Sequence, residues 1–119
     1  MRFTYLLPIL LATAPLAAQA ACTTSNFTVT HFATIPHPGL RRITISGDLV
    51  NQCGAPAAAQ VRIIAKDAQG NVIESEQAWP AGSSNIQPGK SKPFNFGPLF
   101  SFSPSMSSFQ VEIVSVREW

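Results

Sequence analysis

Charged residues are scarce in this sequence, and their scarcity excludes one large class of partners. Only 12% of the 119 residues are charged, and eight lysines and arginines against six acids give a formal net charge of +2. The basic residues form no stripe that could neutralise a run of phosphates, so we expect no nucleic-acid partner. A chain poor in charge and rich in Pro, Ser, Gly and Thr is typical of loop-rich all-β domains.

Metal-binding side chains are also few. The histidines are His31 and His37, and Met106 is the one methionine outside the first 20 residues. Periplasmic copper carriers use His and Met ligands, but no two of these three residues lie at a ligand spacing. We therefore expect no metal and no cofactor.

The patterns of enzyme active sites are absent as well. The serines match neither G-x-S-x-G nor S-x-x-K, and the sequence has no C-x-x-C. The acids Glu74 and Glu76 share a face at i, i+2, which is typical of a solvated strand face. No catalytic residue is assigned, and we expect that the protein is not an enzyme.

No apolar run approaches the roughly 20 residues that a membrane-spanning helix needs. The longest follows Arg2 and leads into small residues ending at Ala20. This pattern predicts a secretory signal peptide at residues 1–20 and a mature domain at 21–119, exported to the periplasm or out of the cell. Lipoprotein acylation at Cys22 is the less favoured alternative, because Gln19 stands where such signals usually carry an aliphatic residue.

Two cysteines, Cys22 and Cys53, predict one disulfide in an exported chain. If they face each other, the strands at 26–32 and 42–50 form a hairpin. Thr30 then lies opposite Ile45, and the turn is centred between His37 and Pro38. The stretch "ATIPHPGLR" supplies the prolines and the glycine that interrupt regular structure there.

A second hairpin is predicted at 61–77, where apolar residues alternate on both sides of a turn. Asp67 and Gly70 suit a type I turn closed by a left-handed residue. Pairing Asp67 with Asn71 places Ala65 opposite Ile73 on the core face. It places Arg62 opposite Glu76 on the solvent-exposed face.

Two further strands complete the expected fold. One contains Phe94 and Phe96, and the other runs from Phe109 to Trp119. In the second, Ile113-Val114 breaks the alternation, which predicts a bulge or a strand buried on both faces. Short strands, frequent turn signals and no convincing helix predict an all-β, immunoglobulin-like antiparallel β-sandwich of about seven strands.

Three motifs within this pattern resemble a known family. They are a strand end at Gly47–Asn51, a V-x-I-x-A-x-D-x-x-G-x-V hairpin at Val61–Val72, and an I-x-P-G turn at Ile86–Gly89 followed by Phe94. Together they resemble FxLYD-type and related small immunoglobulin-like domains of bacterial envelope proteins. The resemblance implies a fold and carries no general activity.

The best candidate for function is an apolar loop, "PLFSFSPSM". It carries Leu99, Phe100, Phe102 and Met106 among prolines and serines. Such a loop either folds back to cap the core or presents a contact surface for a partner protein. Both alternatives are kept.

Two classes of function follow. The first is a small exported, non-enzymatic accessory or protein-binding module with an unidentified protein partner. The alternative is a structural subunit of an envelope assembly, pilus-like or from a secretion system, in which an edge strand pairs with a neighbour. The segment at 21–26, "ACTTSN", is polar and held by Cys22, which favours a self-contained monomeric module.

Overall fold

The structure, a computed structural model, describes residues 21–119, and the predicted signal peptide lies outside the described residues. The strands are β1 (Phe27–His37), β2 (Arg42–Asn51), β3 (Ala58–Lys66), β4 (Val72–Ala78), β5 (Ser91–Asn95) and β6 (Ser108–Arg117). Short 3₁₀ turns are the only helical elements among these residues, and none of them is long and apolar enough to cross a membrane. The all-β prediction is confirmed, with six strands where about seven were expected.

The strands form two antiparallel three-stranded sheets that share one core. The first has the order β1-β2-β5 and the second the order β4-β3-β6, so β2 and β3 are the central strands. Alternate residues of these strands point inwards, as the period of two requires. Ile45, Leu49, Val61 and Ile63 are fully buried there. The other four strands lie at sheet edges, and β1 lies beside β6.

The predicted disulfide is confirmed. Cys22 and Cys53 are bonded with a Cα–Cα distance of 5.7 Å, and no free cysteine remains in the described part of the chain. The two residues are 31 positions apart. Closing a loop of that length stabilises the fold by about 3 to 4 kcal/mol in the chain-entropy model.

The register predicted for the first hairpin is wrong by three residues. Thr30 lies opposite Asp48 instead of Ile45. The prediction treated the cysteines as cross-strand neighbours, but a 3₁₀ turn at Thr24–Asn26 separates Cys22 from β1.

The turn of this hairpin also lies further along the chain than predicted. It occupies Pro38–Leu40, with Arg41 in the left-handed region at φ 53°. β1 continues through Pro36 to His37, although Pro36 was expected to interrupt regular structure. An edge strand tolerates Pro36 because one side of its backbone needs no hydrogen-bond donor.

The second hairpin has the predicted turn and a different register. Asp67 N–H donates to Asn71 O at 2.9 Å, and Gly70 has φ 84°. Beyond the turn, Ala65 lies opposite Glu74 and not Ile73, because the register shifts between Ala65 and Lys66. The shift makes Ile73 an extra residue in β4 and leaves it 38% exposed.

The same shift changes the partner of Arg62. Arg62 lies opposite Gln77, not Glu76 as predicted, and its Nε donates to Gln77 Oε1 at 3.2 Å. Its Nη1 forms an ion pair with Glu112 of β6 at 3.1 Å. Arg62 therefore links all three strands of its sheet on the outer face.

The bulge predicted in the closing strand is confirmed. Val61 lies opposite Ile113 and Gln60 lies opposite Ser115, so Val114 is the extra residue. Because of this insertion, Val116 returns to the inner face opposite Ala59.

Asn51 joins the end of β2 to two loops and is fully buried. Its Nδ2 donates to Ile86 O at 2.7 Å and to Ala55 O at 3.0 Å, while its Oδ1 accepts from Cys53 N–H at 2.7 Å. Gly89 N–H also donates to Asn51 O. Two of the three motifs that carry the family resemblance therefore meet at this side chain.

Candidate functional site

The segment between β5 and β6 crosses one end of the sandwich and covers the core there. Phe96 and Phe100 are buried, with 3% and 8% of their surface exposed. Gly97 packs so closely on the Ile43 carbonyl that a Cβ at this position would overlap it. The Phe100 ring meets the Phe109 ring edge to face, with centroids 6.3 Å apart. This half of the segment caps the core.

The four predicted contact residues therefore have different environments. Phe100 is buried, and Leu99 is 46% exposed. Phe102 and Met106 pack partly against the core and partly face solvent. Capping and contact were alternatives for the whole loop, and of the four residues the structure buries only Phe100.

Phe102 and Met106 line an apolar groove between the edges of the two sheets. The groove has a volume of about 640 Å³. Phe32 and Pro36 of β1 form one wall, Phe109 of β6 lies on the other, and Ile43 of β2 also lines it. None of its lining residues is ionisable. Its surface suits apolar contacts and offers no ionisable side chain for acid–base chemistry.

Sequence reasoning identified Phe102 and Met106 but missed the opposite wall. Phe32 was the last residue of a predicted strand, and Pro36 was assigned to a turn. Their contribution depends on β1 running on to His37 beside β6. The sequence did contain one signal for this wall, the large aromatic residue Phe32 at the end of an otherwise alternating strand.

The histidines each have a separate hydrogen-bond partner. His31, at φ 55° where the register of β1 shifts, has its Nδ1 3.0 Å from Asp48 Oδ2. His37 Nε2 lies 3.0 Å from Thr44 Oγ1. Within residues 21–119, no group of three or more His, Cys, Asp or Glu side chains could hold a metal ion.

Glu74 and Glu76 do not lie on a solvated outer face as predicted. They lie opposite Ala65 and Ile63, on the inner face of their sheet at its β4 edge. Ser101 N–H donates to Glu74 Oε1 at 3.2 Å, which ties the crossing segment to this edge. Burial and, secondarily, the neighbouring Glu76 raise the pKa of Glu74 above its ordinary value, although the Ser101 bond opposes the shift.

Asp67 has the opposite shift for a local reason. The N–H groups of Asn71 and Gln69 each donate to its Oδ1 at 2.9 Å. These bonds, that of Asn71 first, favour the carboxylate and lower the pKa of Asp67. The turn accounts for this acid, which needs no catalytic explanation.

The opposite end of the sandwich carries the two tryptophans. The Trp79 and Trp119 rings meet edge to face with centroids 6.1 Å apart, and the Arg117 guanidinium lies 4.5 Å from the Trp119 ring centre. Asn85 Oδ1 accepts from Trp119 N–H at 3.0 Å. These contacts hold Trp119 beside the ends of β4 and β6, away from the groove.

No protein-family model, no curated protein and no solved structure matches this chain.

Proposed function

We propose that this protein is a small exported, non-enzymatic module of the bacterial envelope with an immunoglobulin-like sandwich, which binds a partner protein through the apolar groove. The groove itself is the observation that supports this function. Phe102 and Met106 lie partly exposed beside Phe32 and Phe109, where a simple connection would need no large side chains. Apolar surface gathered in a concave site is typical of contact sites for other molecules.

The absence of charge in the groove favours a binding role over catalysis. Its lining residues are Phe, Ile, Met, Pro, Ala, Thr and Ser. Glu74, the one acid in residues 21–119 whose pKa is raised, lies at the β4 edge and is not among them. A non-enzymatic module is the function that this separation supports.

The test compares variants of exposed and buried positions of the same loop. Phe102→Ser or Met106→Ser, each made alone, should cost about 1 to 2 kcal/mol of stability, because each side chain is only half buried. Each variant should lose capture of the partner from an envelope extract. Leu99→Ser is the matched control, since Leu99 is apolar and exposed outside the groove.

Phe100→Ser separates binding from folding. It removes a buried ring and should cost about 3 kcal/mol or more. A groove variant that captures the same partner as the wild-type protein would contradict the proposal. So would a groove variant that unfolds as Phe100→Ser does, because Phe102 and Met106 would then be core residues.

A structural subunit of an envelope assembly is the second candidate. The observation that favours it is β6, which pairs only with β3 among the described strands and forms no ladder along its other edge, where β1 lies beside it. Light scattering of the mature protein separates the two candidates. A module stays monomeric as its concentration rises, and a subunit associates.

A further inference from the structure

The four edge strands differ in how well they are protected from pairing with another chain. β1 contains Pro36 and changes register at His31, and β5 is short and contains Pro93. β4 carries Glu74 and Glu76 on its inner face. Prolines, register breaks, short length and inward-facing charges are the devices that block strand addition at an edge.

β6 has the least protected edge of the four. It is ten residues long and contains no proline. Its bulge lies at Val114, so the stretch from Ser108 to Ile113 pairs with β3 in one unbroken register. Along that stretch the outer edge offers backbone N–H and C=O groups that have no strand partner in residues 21–119, since β1 lies beside β6 without pairing with it.

The chemistry beside this edge is apolar on one face and neutral on the other. Phe109, Val111 and Ile113 face inwards and are only half buried. On the outer face the charge of Glu112 is balanced by Arg62 at 3.1 Å. A strand laid along β6 therefore meets apolar side chains on one face and no unbalanced charge on the other.

The groove adjoins the start of this same edge. Ser108 and Phe109 line it together with Met106 and Phe102. A strand added to β6 would place alternate side chains over the groove, because successive residues of a strand point to opposite faces.

Resting on the proposed function, we infer that the groove and the outer edge of β6 together bind an extended, uncharged segment of the partner protein, which adds to the sheet as a strand next to β6. The unpaired edge requires a polypeptide, since only a backbone supplies matching donors and acceptors along the strand. The uncharged groove selects against Lys, Arg, Asp and Glu on the inward face, because a charge there would lose water without gaining a partner.

The probe is a synthetic peptide of alternating Val and Thr with the length of β6, ten residues, flanked by lysines for solubility. Calorimetry with the mature protein should detect binding. N-methylation of alternate backbone amides on the edge that faces β6 should weaken binding at least about tenfold, since it removes several hydrogen bonds. Replacing the central inward Val by Lys should weaken it by a similar factor.

Variants of the protein locate the binding site. Met106→Lys should abolish peptide binding, and the matched Leu99→Lys should leave it unchanged, because Leu99 is exposed outside the groove. Hydrogen exchange should show new protection of amides in Ser108–Ile113 when peptide is present. Protection confined to β1 or β4 would overturn the assignment of the edge.

The outcomes separate this inference from the proposed function. If the partner needs Phe102 and Met106 but N-methylation has no effect on peptide binding, strand addition is wrong and groove binding stands. If no Val–Thr peptide binds, the inference is wrong. If the protein dimerises and β6 becomes protected without peptide, the occupant is a second copy, and a partner segment is the wrong choice.

Discussion

Replacing Asn51 by Ala tests how the end of β2 is held. The substitution removes three hydrogen bonds of 2.7 to 3.0 Å from a fully buried side chain. Ile86 O would still accept a hydrogen bond from Ala57 N–H at 3.2 Å. Cys53 N–H and Ala55 O would each lose the hydrogen bond that Asn51 makes with them.

The magnitude follows from these contacts. Each bond contributes about 1 kcal/mol net, and a buried group without a partner costs about 1 to 3 kcal/mol more. Because two of the bonds are only partly buried, we expect Asn51→Ala to cost about 2 to 4 kcal/mol. The total free energy of unfolding of such a domain is roughly 5 to 15 kcal/mol, so this loss would be a large part of it.

The assay is urea unfolding with the disulfide intact. Asn85→Ala is the matched control, since Asn85 makes two hydrogen bonds to Trp119 on an exposed surface. The control should cost less than about 1 kcal/mol, because water replaces exposed partners. An Asn51→Ala cost as small as that of the control would refute the argument that this side chain holds the two loops together.

Two further substitutions test the β3–β4 hairpin and the acidic edge. Gly70→Val should cost about 1 to 2 kcal/mol in urea unfolding, because Gly70 has φ 84° and a β-branched residue is strained there. Gly54→Val is the control and should cost far less, since Gly54 has no positive φ. Neither glycine has an atom near enough to clash with a new side chain, so the comparison isolates the backbone conformation. Equal costs would show that the turn does not need a left-handed residue. For Glu74, the raised native pKa means that the folded state binds the proton more tightly, so its contribution to stability falls as pH rises from the ordinary value of 4.5 through the native one. Glu74→Gln should remove this pH-dependent loss of stability while still accepting the hydrogen bond from Ser101 N–H. Glu76→Gln should only reduce the loss, because burial is the larger cause of the pKa shift. An unchanged pH profile in Glu74→Gln would show that Glu74 does not cause the loss.

Local chemistry predicted the turn of the second hairpin, and a missed bulge explains why the predicted register of that hairpin was wrong. Ile113-Val114 gave two consecutive apolar residues, which predicted the bulge found at Val114. Val72-Ile73 gave the same signal beside a well-defined turn, and the bulge there was missed. The missed bulge changed which acids face inwards, because a shift of one residue exchanges the faces of a strand.

The groove could be predicted only in part because its walls come from distant parts of the chain. Phe102 and Met106 stood out as large side chains in a loop of serines and prolines. Phe32 and Phe109 looked like ordinary strand residues, and their approach depends on how the two sheets pack. The burial of Phe100 could not be separated from the exposure of Leu99, since neighbouring loop residues follow no period that assigns a face.

The disulfide has a consequence for how force would pass through the domain. A pull at Ala21 reaches Cys22 and passes through the sulfur atoms to Cys53, so the intervening chain with β1 and β2 is bypassed. The chain between the two cysteines, which are 31 positions apart, cannot extend while the bond is intact, so roughly 100 to 110 Å of chain length stays folded under the pull. One wall of the groove, formed by β1 and β2, thus belongs to a closed covalent ring, whereas β6 on the other side carries tension directly. Under load, the two walls would be held together only by the non-covalent packing of the sheets.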